Sequence, residues 1–141
     1  ENLEAMTHIT KMQYYVTACS NDAMQYAVLE AMEKASDYPA KMCQEFKARR
    51  DLICDRLNAM EGVSCHVPTG AFYVFPKVDV PGMNSEEVAM ALLEGGVLCS
   101  PGSAFGQAGE GHLRFAYTVG REDISRGMDR VEKVLAELRD N

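Results

Sequence analysis

One arginine carries the clearest chemical signal in this chain. Arg114 lies in His112-Leu113-Arg114-Phe115-Ala116-Tyr117, which reads as a β-strand with Leu113, Phe115 and Tyr117 on one face and His112, Arg114 and Ala116 on the other. The guanidinium is a rigid fork of donors that matches a carboxylate, and among apolar neighbours it needs an anion. Two sources are open: one of the chain's 21 acidic side chains, as a structural ion pair, or a bound ligand. Ahead of it runs Gly95-Gly96-Val97-Leu98-Cys99-Ser100-Pro101-Gly102-Ser103-Ala104-Phe105-Gly106, read as a strand followed by a long Gly-rich loop.

Groups that would perform covalent or acid–base steps are not arrayed around this arginine. Ser100 and Ser103 have no histidine at a fixed spacing and no nucleophile-elbow context. Gly106-Gln107-Ala108-Gly109-Glu110-Gly111 is followed by a strand rather than a helix, so it reads as a flexible connector and not as a phosphate cradle. Tyr73, between Phe72 and Val74, reads as a core tyrosine, the alternative being a hydroxyl on the open face. His8, His66 and His112 are far apart and suggest no zinc site. The residues thus offer one substrate-binding candidate, Arg114, and no catalytic residue or metal ligand. An arginine poised for a carboxylate, without base, nucleophile or metal, is half a site.

A chain of 141 residues has room for one domain with one real core. The net charge of −7, with basic residues scattered rather than striped, argues against non-specific nucleic-acid binding. No apolar run is long enough for a transmembrane helix, and residues 1–19 lack the apolar core region of a signal peptide. Five cysteines (Cys19, Cys43, Cys54, Cys65, Cys99) form no CxxC pair. They read as reduced core cysteines of a cytoplasmic protein.

The elements that would position Arg114 follow from periodicity. Ile9, Met12, Tyr15 and Val16 fit helical spacing that ends by Thr17, and Ser20 or Asn21 caps a helix over 22–34. Pro39 opens a helix that runs to about Met60 and stops at Gly62. Arg49-Arg50-Asp51 on that helix reads as a surface salt-bridge cluster. Residues 63–67 and 71–75 read as two strands joined like a hairpin by Pro68-Thr69-Gly70. Asn84 and Glu87 make a capping box for a helix to about Leu93, and 97–99 and 113–117 are the third and fourth strands. A last helix over 121–139 carries Ile124, Met128, Val131, Leu135 and Leu138 as an apolar stripe. The order predicts an α+β domain, with helices covering one face of a small, largely antiparallel sheet and Arg114 on the other.

The ordered motifs Pro68-Thr69-Gly70-Ala71-Phe72-Tyr73, Gly96-Val97 leading into Pro101-Gly102-Ser103-Ala104-Phe105-Gly106, and Leu113-Arg114-Phe115-Ala116-Tyr117 resemble the C-terminal part of class I/II aminotransferases. Gln25-Tyr26-Ala27 and Arg49-Arg50-Asp51 also match that family of fold-type-I pyridoxal-phosphate enzymes. The resemblance implies residues 1–19 as a leading segment from the interdomain region and 20–141 as the small domain. It implies that Arg114 grips the α-carboxylate of an amino acid or 2-oxo acid, aspartate or an aromatic amino acid being the expected donor. It further implies a homodimeric intact enzyme, with an N-terminal large domain that holds the cofactor. Lys11, Lys34, Lys41, Lys47, Lys77 and Lys133 all lack the family's Ser-Xaa-Ser-Lys-like context, so the chain alone is expected to be inactive and to hold no pyridoxal phosphate. Two alternatives stand beside this reading: a carbon–sulfur lyase of the same fold, and a non-catalytic amino-acid-binding module.

Overall fold

Burial of the stripe on the last helix organises the molecule. In the computed structural model, which describes residues 2–140, helix α5 (Arg121–Arg139) buries Ile124, Met128, Val131 and Leu135. They join Ile53, Cys54 and Leu57 from helix α3 (Tyr38–Asn58), Val88, Ala89 and Leu92 from helix α4 (Ser85–Glu94), and Val74, Leu113 and Phe115 from the sheet in one core. Gly127 interrupts α5 at a position where an added Cβ would meet no atom within 4 Å. Gly127→Ala is therefore expected to raise stability by about 0.5–1 kcal/mol in a urea melt, from lower backbone entropy in the unfolded chain.

Chain contacts divide the molecule into two compact units, Glu1–Lys41 and Met42–Asn141. The first holds helices α1 (Leu3–Thr17) and α2 (Asp22–Lys34), whose N-caps Asn2 and Asn21 each accept a backbone N–H of the first turn. Neither helix buries a side chain: Met6, Ile9, Met12 and Tyr15 on α1, and Met24, Val28 and Met32 on α2, are exposed.

The second unit holds five strands: β1 (Val63–Ser64), β2 (Tyr73–Val74), β3 (Lys77–Val78), β4 (Ser100–Pro101) and β5 (Leu113–Ala116). All pairings are antiparallel: a three-stranded sheet in the order β2-β5-β4 and a two-stranded one, β1-β3, with Lys77 bridging to His112. Within this unit α3, α4 and α5 pack on one face of the sheet, which gives the α+β architecture expected.

Three local expectations are corrected. The segments 63–67 and 71–75 do not form a hairpin; β1 pairs with β3 and β2 pairs with β5. Beyond Ser64 the Asn58 side chain takes the place of a partner strand, accepting from the Cys65 N–H at 2.8 Å and donating to the Cys65 carbonyl at 3.0 Å. Residues 97–99 are not a strand, and the ladder begins only at Ser100. The Val97 N–H is used instead to close α4, bonding the Leu92 carbonyl at 2.8 Å while Gly96, at φ +81°, bonds Leu93. That is a Schellman ending, in which the residue after the glycine still belongs to the helix cap. The Gly-rich loop is not a flexible connector either. It folds into two 3-10 turns, Gly102–Phe105 and Gln107–Gly109, with Gly102 and Gly109 buried against one another so closely that a Cβ on either would strike the other's backbone.

Candidate functional site

Alternation along β5 sends Leu113 and Phe115 into the core, with Tyr117 just past the strand buried alongside them, and leaves His112, Arg114 and Ala116 on the opposite face, as the sequence pattern predicts. Tyr73 lies opposite Ala116, and Ser100 lies opposite Arg114. Arg114 is half-buried, with a strand on each side. Its Nη2 donates to Ser100 Oγ at 3.3 Å. Its Cζ stands 4.5 Å from the Tyr73 ring centroid and 4.5 Å from that of Phe105.

The ring series continues outward. Phe105 meets Phe75 edge-on, with centroids 5.9 Å apart, and Phe75 stacks on the His112 imidazole at 5.1 Å. On the other side Tyr73 touches Phe72 at 4.5 Å. The open face is thus an aromatic surface with one cation set into it.

Among the described residues Arg114 forms no ion pair, which sets it apart from five of the other seven arginines. Arg49 and Arg121 pair with Glu45, Arg50 with Asp51, Arg56 with Asp129 and Glu132, and Arg126 with Asp123. Arg130 and Arg139 bond the Gly96 and Asp79 carbonyls. Arg114 has a neutral hydroxyl as its hydrogen-bond partner, whereas Arg56, which also reaches a hydroxyl at Ser125, pairs with two carboxylates besides. Of the two anion sources left open by the sequence, no internal carboxylate fills the role among the described residues.

A second set of bonds fixes the loop that carries Phe105. Glu110 accepts from the Ser85 N–H at 2.7 Å, the Ser85 hydroxyl at 3.1 Å and the Gly111 N–H at 2.9 Å. Ser103 N–H in turn donates to Ser85 Oγ at 3.3 Å. The Ser85 and Gly111 N–H groups stabilise the ionised form and hold Glu110 below the usual carboxylate range. A lowered folded-state pKa contributes stability that is fully present above the unfolded value and is lost as pH falls through the folded one. Between about pH 6 and about pH 3 the wild type is therefore expected to lose more melting temperature than Glu110→Gln. Parallel curves would remove Glu110 from the anchoring of this loop.

The same bonds answer whether the loop can cradle a phosphate. The N–H groups of Gly102, Ser103, Gly106, Gly109, Glu110 and Gly111 are all directed to acceptors within the chain. These six N–H groups are therefore not free to form the amide nest that a phosphate requires.

Sequence reading of the thiols is corrected in part. Cys54 and Cys65 are buried with their sulfurs 3.9 Å apart, and Cys99 is half-buried, but Cys19 and Cys43 are exposed rather than core residues. Burial pushes the Cys65 thiol up to about 12 and that of Cys99 to about 11. Among the described residues no group of His, Cys, Asp and Glu could hold a metal ion. No helix there is long and apolar enough to cross a membrane.

Two members of the site, Phe105 and Glu110, were not assigned by sequence reasoning, and the core reading of Tyr73 is corrected. Tyr73 is on the open face, Phe105 lies over the arginine, and Glu110 is the anchor of the loop. The alternation of Tyr73 and Phe75 with buried Val74 and Pro76 was the available signal for the first. For Phe105 and Glu110 the contacts are made through a folded loop, and no periodicity announces them.

Comparison with known proteins bears on what such a face is for. The family described as aminotransferase class I and II matches residues 3–131. Aromatic-amino-acid aminotransferase 2 of Thermococcus litoralis is 39% identical over 132 residues, covering 92% of this chain and 34% of that protein. An aspartate aminotransferase of Pyrococcus abyssi is 40% identical over 132 residues, with the same coverage of 92% and 34%. The solved structure of an alanine aminotransferase from Pyrococcus furiosus superposes with a TM-score of 0.86 at 34% identity, covering 97% of this chain and 35% of that one. The chain spans about a third of the length of the curated relatives it matches. On motif order, fold and sequence together, the chain belongs to the class I and II aminotransferase family.

Proposed function

We propose that this chain supplies the carboxylate-binding half of the active site of an aminotransferase. The observation that carries the reading is Arg114: half-buried on an open sheet face, with an aromatic ring on each flanking side and no carboxylate partner among the described residues. The ligand is the α-carboxylate of an amino acid, or of the 2-oxo acid formed from it. A carboxylate meeting the free edge of the fork gains two charge-assisted hydrogen bonds, and the flanking rings restrict the approach of water. Because every amino acid has this group, Arg114 sets orientation and not side-chain preference. Aspartate or an aromatic amino acid is the proposed donor, from the names of two of the relatives described above.

Family members use pyridoxal phosphate, but the residues of this chain do not fit that cofactor by themselves. Six N–H groups of the Gly-rich loop are satisfied internally, and Lys34, Lys41 and Lys133 lie in exposed ion pairs along their own helices. The cofactor and its lysine therefore belong to an N-terminal large domain, which would also cover the apolar side chains left exposed on α1 and α2. In this arrangement residues 1–19 are the leading segment from the interdomain region and 20–141 are the small domain of a homodimeric, cytoplasmic enzyme.

The decisive test joins the chain to its large domain and follows amino transfer from aspartate or an aromatic amino acid to a 2-oxo acid. Release of ammonia and a thiol from a thioether amino acid, without transfer, would make it a carbon–sulfur lyase. The 141-residue chain alone is expected to show no lysine labelled stoichiometrically by pyridoxal phosphate and borohydride, and no measurable amino-acid binding by calorimetry. Tight binding of an amino acid by the chain alone would favour a free-standing binding module.

A further inference from the structure

Phe105 is a large apolar side chain, 51% exposed, on a loop with six backbone N–H groups directed to acceptors within the chain. An exposed phenylalanine contributes little to a core, yet this one is held firmly. Gly102 and Gly109 close the base of its loop, Glu110 and Ser85 tie it to the start of α4, and the Ser103 hydroxyl reaches Glu86 at 3.4 Å. What all this positions is a ring 4.5 Å from the Arg114 guanidinium carbon. Tyr73, from the strand on the other side of β5, places its own ring at the same 4.5 Å.

We propose that Phe105 and Tyr73 are positioning residues that fix the orientation of the Arg114 fork before any carboxylate arrives. The inference rests on Arg114 as the carboxylate anchor and goes beyond it. Arginine loses considerable rotamer freedom when it binds, and a side chain held in place beforehand leaves less of that cost to the binding step. An internal carboxylate would hold the fork equally well but would occupy the donors needed for the ligand. Aromatic faces hold a cation through its π surface and leave the in-plane N–H groups free. Ser100 then fixes one edge with a single neutral hydrogen bond, so the remaining edge has a defined direction.

Two readouts test this. In the 141-residue chain, nitrogen-15 relaxation of arginine side chains, with the Arg114 signal assigned by its loss in Arg114→Lys, is expected to find Arg114 Nε ordered without ligand. Phe105→Leu should make it as mobile as an exposed arginine, and Phe105→Tyr should restore the order. In the enzyme joined to its large domain, Phe105→Leu should raise KM for the amino acid about tenfold with kcat changed less than about twofold, and Phe105→Tyr should recover it. Should Phe105→Leu fail to fold, Tyr73→Leu removes the opposite ring and carries the same expectation. An Arg114 Nε that stays ordered in a folded Phe105→Leu protein with unchanged KM overturns the proposal. If Arg114→Lys still impairs turnover in that case, the anchor reading survives and only the positioning role falls. If neither variant affects KM, both fall.

Discussion

Leu135→Ala is expected to destabilise the chain by about 2–5 kcal/mol in a urea melt followed by circular dichroism. Leu135 is 1% exposed and lies in the core that α3, α4, α5 and the sheet build together. Truncation removes the transfer free energy of the lost methyl and methylene groups and leaves a cavity whose walls come from several elements and collapse poorly. Since small domains hold only about 5–15 kcal/mol in total, one side chain accounts for a large share. Lys133→Ala, two residues away on the exposed side with its ion pair to Glu137 at 3.8 Å, should change stability by less than about 0.5 kcal/mol. A Leu135→Ala cost equally small would mean that the stripe of α5 does not pack against the sheet. The open face carrying Arg114 would then lose its structural basis.

Elements governed by one-dimensional periodicity were legible in the sequence. The stripe of α5, the capping box at Asn84 and Glu87, and the two faces of β5 all follow from spacing alone and lie where they were expected. Strand partners were not legible. Pro68-Thr69-Gly70 resembles a hairpin connection, yet Ala71 adopts φ +60° and the Tyr117 hydroxyl bonds its carbonyl at 2.9 Å, turning the chain toward β5. That interaction joins residues 46 positions apart, which no local propensity encodes. The site divides in the same way. Arg114 was found because a charge on an alternating apolar strand is locally anomalous, whereas Phe105 reaches it through a loop whose shape depends on the contact between Gly102 and Gly109. Resemblance of the ordered motifs supplied the family, and the matched region and the fold bear that out.

Arg114→Lys is expected to lower kcat/KM of the enzyme joined to its large domain by roughly a hundredfold, about 2–3 kcal/mol, for every amino-acid substrate tested. Lysine keeps the positive charge but replaces a planar fork with a compact ammonium that cannot make two parallel bonds to one carboxylate. It also loses the flat π surface that lies against Tyr73 and Phe105. The uniformity across substrates matters, because the α-carboxylate is common to all of them; a loss confined to aspartate would instead place Arg114 at the side-chain carboxylate. Loading with pyridoxal phosphate should be unchanged, since the cofactor is held by the other domain. In the chain alone the substitution should cost no more than about 1 kcal/mol of stability, the scale of the cation–π contacts given up. Arg114 has no carboxylate partner among the described residues whose charge would be left unpaired. A structural ion pair gives the reverse pattern, with a large loss of stability in the chain and unchanged kinetics in the enzyme. That outcome would remove Arg114 from the substrate site and leave the family assignment resting on motif order and fold.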